Sequence, residues 1–267
     1  MFFAVILLGF FAYLFLKSFI AGQKTTRPVF NSHRDQAKSI AYDHISEQIL
    51  EENVEFYSRL SDAEKIQFRK DMAWFLTHTR ITGVDLDVGE KERHFVAASA
   101  VIPIFYFPEW HYYDLHEVLL YTGPINFEFE TDATDSQILG MVGTGKMEGK
   151  MALSITALSH GFSNKTDKHN TAIHEFVHLL DKADGRIDGL PKALMTQPYA
   201  LPWLQLIRHK MENVKTGNSD IDEYAGLNLA EFFAVSCEYF FERPDLLKIK
   251  HPELYQYLDK MFKGQLL

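Results

Sequence analysis

Five consecutive residues, His174-Glu175-Phe176-Val177-His178, have the types and spacing of a metal-assisted hydrolase. On a helix, histidines four positions apart lie one turn apart on the same face, so both imidazoles can reach a single ion. Glu175, beside the first of them, points towards a water on that ion. A catalytic zinc site takes three protein ligands and leaves a fourth position for water. Such a site lowers the water's pKa and polarises a carbonyl, and the carboxylate carries the proton from the water to the leaving amine. The competing explanation is a histidine pair on a surface helix. The neighbours argue against it. Thr171, Ala172, Ile173, Phe176, Val177, Leu179 and Leu180 make the segment apolar almost all round, and therefore buried. Two buried histidines and a carboxylate without a common partner would be costly.

Two acids compete for the third ligand position. Asp184 lies ten residues after His174, the spacing of metzincin-type sites. Those sites turn the chain back with a glycine three residues after the second histidine, and here that position is Asp181. Glu231 is the alternative, in the mostly apolar stretch Asn228-Leu229-Ala230-Glu231-Phe232-Phe233-Ala234-Val235. A carboxylate in a buried helix needs a cationic partner, and zinc would serve. Glu238, seven residues on, calls for a basic or imidazole partner on the same ground. Asp181 falls one turn past the histidine pair and reads as a supporting or capping residue. Tyr224 could donate its phenol to a developing oxyanion. Cys237, in an apolar helix, reads as a packed core thiol, and Gly185 and Gly189 as turns after the active helix.

Asn170 to Pro191 (NTAIHEFVHLLDKADGRIDGLP) and Glu223 to Glu242 (EYAGLNLAEFFAVSCEYFFE) resemble the Mlc titration factor A family of zinc peptidases. The site of that bacterial group is similar to that of anthrax lethal factor. The similarity runs from about residue 55 and includes Phe105-Tyr106-Phe107-Pro108. It implies a zincin-like domain with a gluzincin ligand set: His174, His178 and Glu231 on zinc, Glu175 as catalytic carboxylate, and Tyr224 assisting the transition state. It also implies a peptide or protein substrate. Family members are associated with binding a transcriptional regulator, so the alternative is a regulatory binding protein whose zinc is structural or vestigial. Glu175 and Tyr224 favour the enzyme, because a structural zinc site needs neither.

The elements that must position these residues follow from periodicity. Ile40, Ile45, Ile49 and Leu50 predict an amphipathic helix over 36–52. Ser61-Asp62-Ala63-Glu64 is a capping box that opens a second helix towards Thr79. From His94 to Phe107 the chain is nearly all apolar, and Pro103 is expected to end a buried helix and begin a strand. Val118 to Tyr121, Ile125 to Phe129, Ile138 to Val142 and Met151 to Leu158 read as β-structure between turn signals. Helices are expected over Asn170 to Lys182, Ala193 to Val214 and Asn228 to Phe241, with a last one after Pro244. The fold class is α+β, a small sheet among several helices. By analogy with zincins, an extended substrate would lie along the sheet edge at Met151 to Leu158.

Composition bounds the rest. The 267 residues are 46% apolar, enough for a real core, and 27 basic against 36 acidic side chains give a net charge of -9. That balance argues against a nucleic-acid partner. One cysteine excludes an intrachain disulfide. Met1 to Leu16 carry no charge, and the apolar character resumes at Phe19 and Ile20, long enough to span a bilayer. No basic residue precedes the run and cleavage-type small residues are poorly supplied, so an N-terminal hydrophobic helix over 1–22 is preferred to a signal peptide. Lys17, Lys24, Arg27, Arg34 and Lys38 all follow it, which keeps the body of the protein cytoplasmic. The expected organisation is a membrane anchor over 1–22, a linker and amphipathic helix over 23–54, and a peptidase domain over 55–267. The distance of His174 from the apolar run argues against an intramembrane protease.

Overall fold

The computed structural model describes residues 44–107, 110–126, 138–143, 145–164 and 167–267. The chain divides into two units, Met1–Asp35 and Gln36–Leu267, and every described residue belongs to the second. The anchor expected over 1–22 therefore lies outside the described residues. Of the helix expected over 36–52, residues 36–43 lie outside them too, and the described part begins only at Glu47, because Ser46 caps it and leaves Ile45 outside. Among the described residues, no helix is long and apolar enough to cross a membrane.

The architecture is α+β, as composition and periodicity suggest. Helix α1 (Glu47–Asn53) and the short α2 (Glu55–Ser58) lead into α3 (Asp62–His78). The capping box at α3 is complete: Glu64 accepts from the Ser61 amide at 2.9 Å. Four strands form one sheet in the order β1-β2-β4-β3: β1 (Arg80–Gly83), β2 (Glu117–Tyr121), β3 (Gly140–Val142) and β4 (Lys150–Ser154). β1, β2 and β4 are parallel, and β3 runs antiparallel on the edge. Parallel strands need crossovers, and α4 (Glu90–Val101) lies between β1 and β2. Val118, Leu120, Met151 and Leu153 share one face of the sheet and are fully buried in the main core, while Tyr121 and Ala152 on the other face pack with Ile125 and the partly buried Leu119 in a smaller cluster. His94 is a satisfied core histidine, bonded to the Ser46 amide at 2.8 Å and the Glu90 carbonyl at 2.7 Å.

Two expectations change in this half of the chain. Pro103 begins no strand: α4 ends at Val101 and the chain continues as a 3-10 turn over Ile102–Ile104. Proline suits the first turn of a helix because the amide it lacks would be unpaired there. The apolar run Met151 to Leu158 is not one strand but two elements. β4 stops at Ser154, whose hydroxyl accepts from the Ala157 amide at 3.3 Å and opens helix α5 (Ile155–Ser163). Because β4 lies between β2 and β3, it is no edge for a substrate; among the described residues β3 takes that position on its side of the sheet. Of the segment Ile125 to Phe129, Ile125 forms an isolated bridge with Ile138, and Phe127 to Phe129 lie outside the described residues.

The second half is helical: α6 (Thr171–Asp181), α7 (Gln197–Lys215), α8 (Leu229–Glu242), α9 (Pro244–Lys250) and α10 (Pro252–Phe262). Pro244 and Pro252 each start a helix, so the single C-terminal helix expected is two. The common core joins Trp203, Phe176, Phe232, Phe233 and Tyr57, all fully buried.

Candidate metal centre

Helices α6 and α8 hold the site between them. Each is opened by an asparagine cap: Asn170 accepts from the Ile173 amide at 3.1 Å, and Asn228 from the Glu231 amide at 2.9 Å. Each cap satisfies one of the unpaired donors at a helix start. The α8 face towards α6 is apolar except for three carboxylates, Glu231, Glu238 and Glu242. They are seven and then four residues apart, which keeps them on one stripe. Each meets α6 or its cap.

Glu231 lies at the centre. Its Oε2 is 3.0 Å from His174 Nε2 and 3.4 Å from His178 Nε2, and the two Nε2 atoms are 3.0 Å apart. Tetrahedral zinc with bonds of about 2.0–2.1 Å needs ligand atoms roughly 3.3–3.4 Å from one another. The triangle found here is close to that, and the donor set fits. Two imidazole lone pairs and a carboxylate aimed at one point are stable only around a cation or a shared proton. Burial works against charging the His174 ring, yet Glu238 and Glu231 outweigh it and hold its pKa well above the ordinary value. Burial would likewise raise Glu231, but its hydrogen bonds to the two histidines pull it down to about 2.

Glu238 answers the sequence question about its partner. Its Oε1 is 2.7 Å from His174 Nδ1, and its Oε2 accepts from the Asn170 amide at 2.7 Å. A carboxylate on Nδ1 favours the tautomer that leaves Nε2 free for a metal. Among the described residues, Nδ1 of His178 is buried without a hydrogen-bond partner, so the two histidines are not equivalent. Glu242 accepts from the Asn170 side-chain amide at 2.9 Å, and burial raises its pKa to about 7.

Glu175 is buried beside this triangle, on the side of β3. A methyl group at Gly140 would come within 2.7 Å of Glu175 Cγ and 2.9 Å of its Oε1, so any side chain there would have to push the Glu175 side chain aside. Burial raises the Glu175 pKa, His174 and His178 lower it, and the net direction is up. At the two ends of β3, the Ser154 amide of β4 donates to the Leu139 carbonyl at 2.7 Å and the Gly143 amide donates to the Lys150 carbonyl of β4 at 2.9 Å. In that antiparallel register the odd-numbered residues face β4, and the amides and carbonyls of Gly140 and Val142 point away from it.

Asp184 is not part of the centre. The active helix runs to Asp181 and tightens into a 3-10 turn over Lys182–Asp184, ending at Gly185 with φ +90°. Asp184 pairs instead with Lys192 at 2.6 Å. Asp181 accepts from the Gly189 amide at 2.7 Å and so caps the returning chain. Gly189 has φ +73°, and a Cβ there would fall 2.4 Å from the Leu229 carbonyl at the start of α8. Cys237 is buried and free, and burial pushes its thiol pKa well up, as a core thiol should be.

Tyr224 sits on a 3-10 turn over Glu223–Gly226, half-exposed, its ring centroid 6.1 Å from that of His174. Burial, Glu231 and Glu175 raise the phenol's pKa, so it stays protonated. The Asp222 side chain accepts from the Tyr224 amide at 2.8 Å. Two residues earlier, Asp220 anchors the loop. It accepts from Tyr239 at 2.9 Å and meets His251 at 2.7 Å, Lys250 at 3.1 Å and Lys168 at 3.3 Å. Periodicity gave no sign of Asp220, because its partners come from α8, α9, the start of α10 and the loop before α6. Asn170 is expected from the sequence only as the first residue of its helix; its cap and its link to Glu238 and Glu242 appear in the structure.

Residues 29–263 match the family model described as glucose-regulated metallo-peptidase M90. The chain belongs to this metallopeptidase family. It is 28% identical over 234 residues to an uncharacterised protein of Synechocystis sp., covering 80% of this chain and 82% of that protein. It is 30% identical over 162 residues to the Mlc titration factor A of Pectobacterium atrosepticum, covering 55% of this chain and 59% of the relative. The Mlc titration factor A of Yersinia pestis is also 30% identical, over 164 residues, covering 55% and 58%. The chain thus spans under two thirds of the length of these named relatives. Membership implies a metal ion, and the triangle at His174, His178 and Glu231 is the cluster found for one among the described residues.

Proposed function

We propose that this chain is a zinc-dependent peptidase of the gluzincin kind, with His174, His178 and Glu231 holding the ion. The observation that carries this reading is the convergence of these three ligand atoms directly beside Glu175, in a chain of a metallopeptidase family. A zinc ion held there supplies Lewis acidity, lowering the pKa of a water and polarising the scissile carbonyl. Glu175 takes the water's proton. Burial raises its proton affinity, which suits a group that must accept the proton and then give it to the leaving amine. The Tyr224 phenol donates to the oxyanion as charge develops on it. Glu238 keeps the His174 ring in one tautomer and one orientation.

The outward amide and carbonyl groups of Gly140 and Val142 offer an extended peptide a strand to pair with. They begin at the point where Gly140 touches Glu175, so a paired peptide would bring a carbonyl past the centre. Glu175→Gln tests the reading. The variant should bind one zinc per chain and cleave no peptide, because an amide cannot accept the proton. Cleavage at the wild-type rate would remove Glu175 as the base.

A second reading rests on the relatives named Mlc titration factor A: a regulatory protein that binds a partner, with the zinc site in a supporting role. It predicts that no zinc-dependent cleavage of any peptide is found. The apolar run over 1–22 is proposed as an anchor that holds the domain at the cytoplasmic face of a membrane. Cell fractionation of the chain with and without those residues tests that placement.

A further inference from the structure

A cavity of about 540 Å³ lies at the C-terminal end of α6, next to β3. Its size falls within the roughly 300–1,000 Å³ of ordinary ligand sites. Two elements lead to it from Glu175. Leu179, on its wall, is four residues past Glu175 on the same stripe of α6, about 6 Å along the axis. Val142, also on its wall, is two residues past Gly140, about 7 Å along the strand. The cavity wall thus comes within about 6–7 Å, along α6 and along β3, of the positions of Glu175 and Gly140, and the outward backbone groups of β3 have no partner among the described residues.

The chemistry of the wall selects the occupant. Trp110, His111, Tyr112 and Leu115 supply aromatic and aliphatic surface. His111 is held in place by stacking on Trp74, with ring centroids 3.8 Å apart. Tyr112 packs on Phe176 of α6 at 5.1 Å. The lysines of the wall are already paired, Lys182 with Glu148 at 2.7 Å and Lys150 with Glu117 at 3.0 Å. An anionic guest would have to displace one of these pairs and would meet the exposed Asp114 carboxylate at the rim. An apolar guest meets no such obstacle.

We propose that this cavity is a specificity subsite for a large apolar side chain, aromatic above all, of a peptide paired along β3. That side chain would come from a residue two or three positions from the scissile bond, because the strand rises about 3.4 Å per residue. The assignment deepens the peptidase reading and rests on it for the path of the peptide. Burial of a phenylalanine or leucine side chain should favour it over alanine about 10- to 100-fold.

The test uses the full chain loaded with zinc and a library of end-blocked octapeptides varied one position at a time. The expected result is a preference of that size in kcat/KM for phenylalanine, tyrosine, tryptophan or leucine over alanine, two or three residues from the cleaved bond. Ala183→Trp, on the exposed rim of the cavity, fills the space at little risk to folding. It should cut that phenylalanine-to-alanine ratio at least tenfold. The zinc-loaded Glu175→Gln variant, titrated by calorimetry with the best phenylalanine peptide and its alanine counterpart, gives the same ratio without turnover. Cleavage with no such preference, or a preference that Ala183→Trp leaves intact, overturns the subsite. Selective binding by Glu175→Gln with no cleavage by wild type would keep the subsite and remove the peptidase reading. Neither cleavage nor selective binding would remove both.

Discussion

Replacing Glu238 by glutamine changes one charge and almost no volume, and the structure sets what that change should do. Glu238 is buried and accepts two short hydrogen bonds, from His174 Nδ1 and from the Asn170 amide, each 2.7 Å long. A glutamine has one acceptor to offer where two are needed. If its oxygen turns to His174, its amide faces the Asn170 N–H, and two buried donors oppose each other at a cost of about 1–3 kcal/mol. If it turns the other way, its amide donates to Nδ1 and drives the ring's proton onto Nε2, the atom that must face the metal. Either arrangement also replaces a charge-assisted bond by one about half as strong. Loss of such a supporting partner typically weakens metal binding about 10- to 100-fold, or roughly 1.4–2.7 kcal/mol. The zinc Kd of Glu238→Gln should rise by that factor, measured by competition with a chromogenic chelator at fixed pH. The metal-free protein should melt several degrees lower, at about 2–4 °C per kcal/mol for a chain of this size. Circular dichroism checks that the fold persists. A zinc Kd within twofold of wild type would refute the idea that Glu238 sets the His174 tautomer.

Three other outcomes follow from the same geometry. Glu231→Ala should lose zinc on dialysis against a weak chelator while Asp184→Ala retains it, since Asp184 is engaged with Lys192 and not with the histidines; the reverse pattern would sink the ligand assignment. Tyr224→Phe should lower kcat roughly 10- to 1000-fold with a smaller effect on KM, on the scale of a single oxyanion donor; an unchanged kcat would make Tyr224 a bystander at the rim. Asp220 concerns acid stability: burial alone would raise its pKa, but His251, Lys250, Tyr239 and Lys168 hold it well below the carboxylate range. Its contribution is therefore complete above the unfolded value of about 3.9 and is lost as pH falls through the lower folded one. Asp220→Asn should melt lower at neutral pH and lose less on acidification, and parallel Tm-against-pH curves for the two proteins would contradict the role.

The local rules carried far along this chain where one segment contains its own explanation. The capping box at Ser61 and the paired histidines depend on residues within a turn or so of one another, so spacing alone reveals them. They failed where a neighbouring element decides. Met151 to Leu158 is uniformly apolar, and apolarity does not distinguish a buried strand from the helix that follows it; the Ser154 cap makes the break. Arg80–Gly83 became a strand because β2 lies alongside to pair with it, and four residues show no periodicity of their own.

The sequence by itself determined the chemistry on offer: two histidines on one face, a carboxylate beside them, a second acid on a buried helix, and a family pattern that joins the two. Those properties are local or compositional, and they survive without coordinates. Only the tertiary structure decided how they combine. The crossing of α6 and α8 brings Glu231 to both histidines, Glu238 to the far side of His174, and Glu242 to the cap. Spacings of 53 to 72 residues separate these partners, and no periodicity spans such gaps. The same holds for the close pass of Gly140 over Glu175 and for the two lysines, the imidazole and the phenol gathered on Asp220. A carboxylate's role depends on which donor faces it across the core, and packing, not sequence order, chooses that donor.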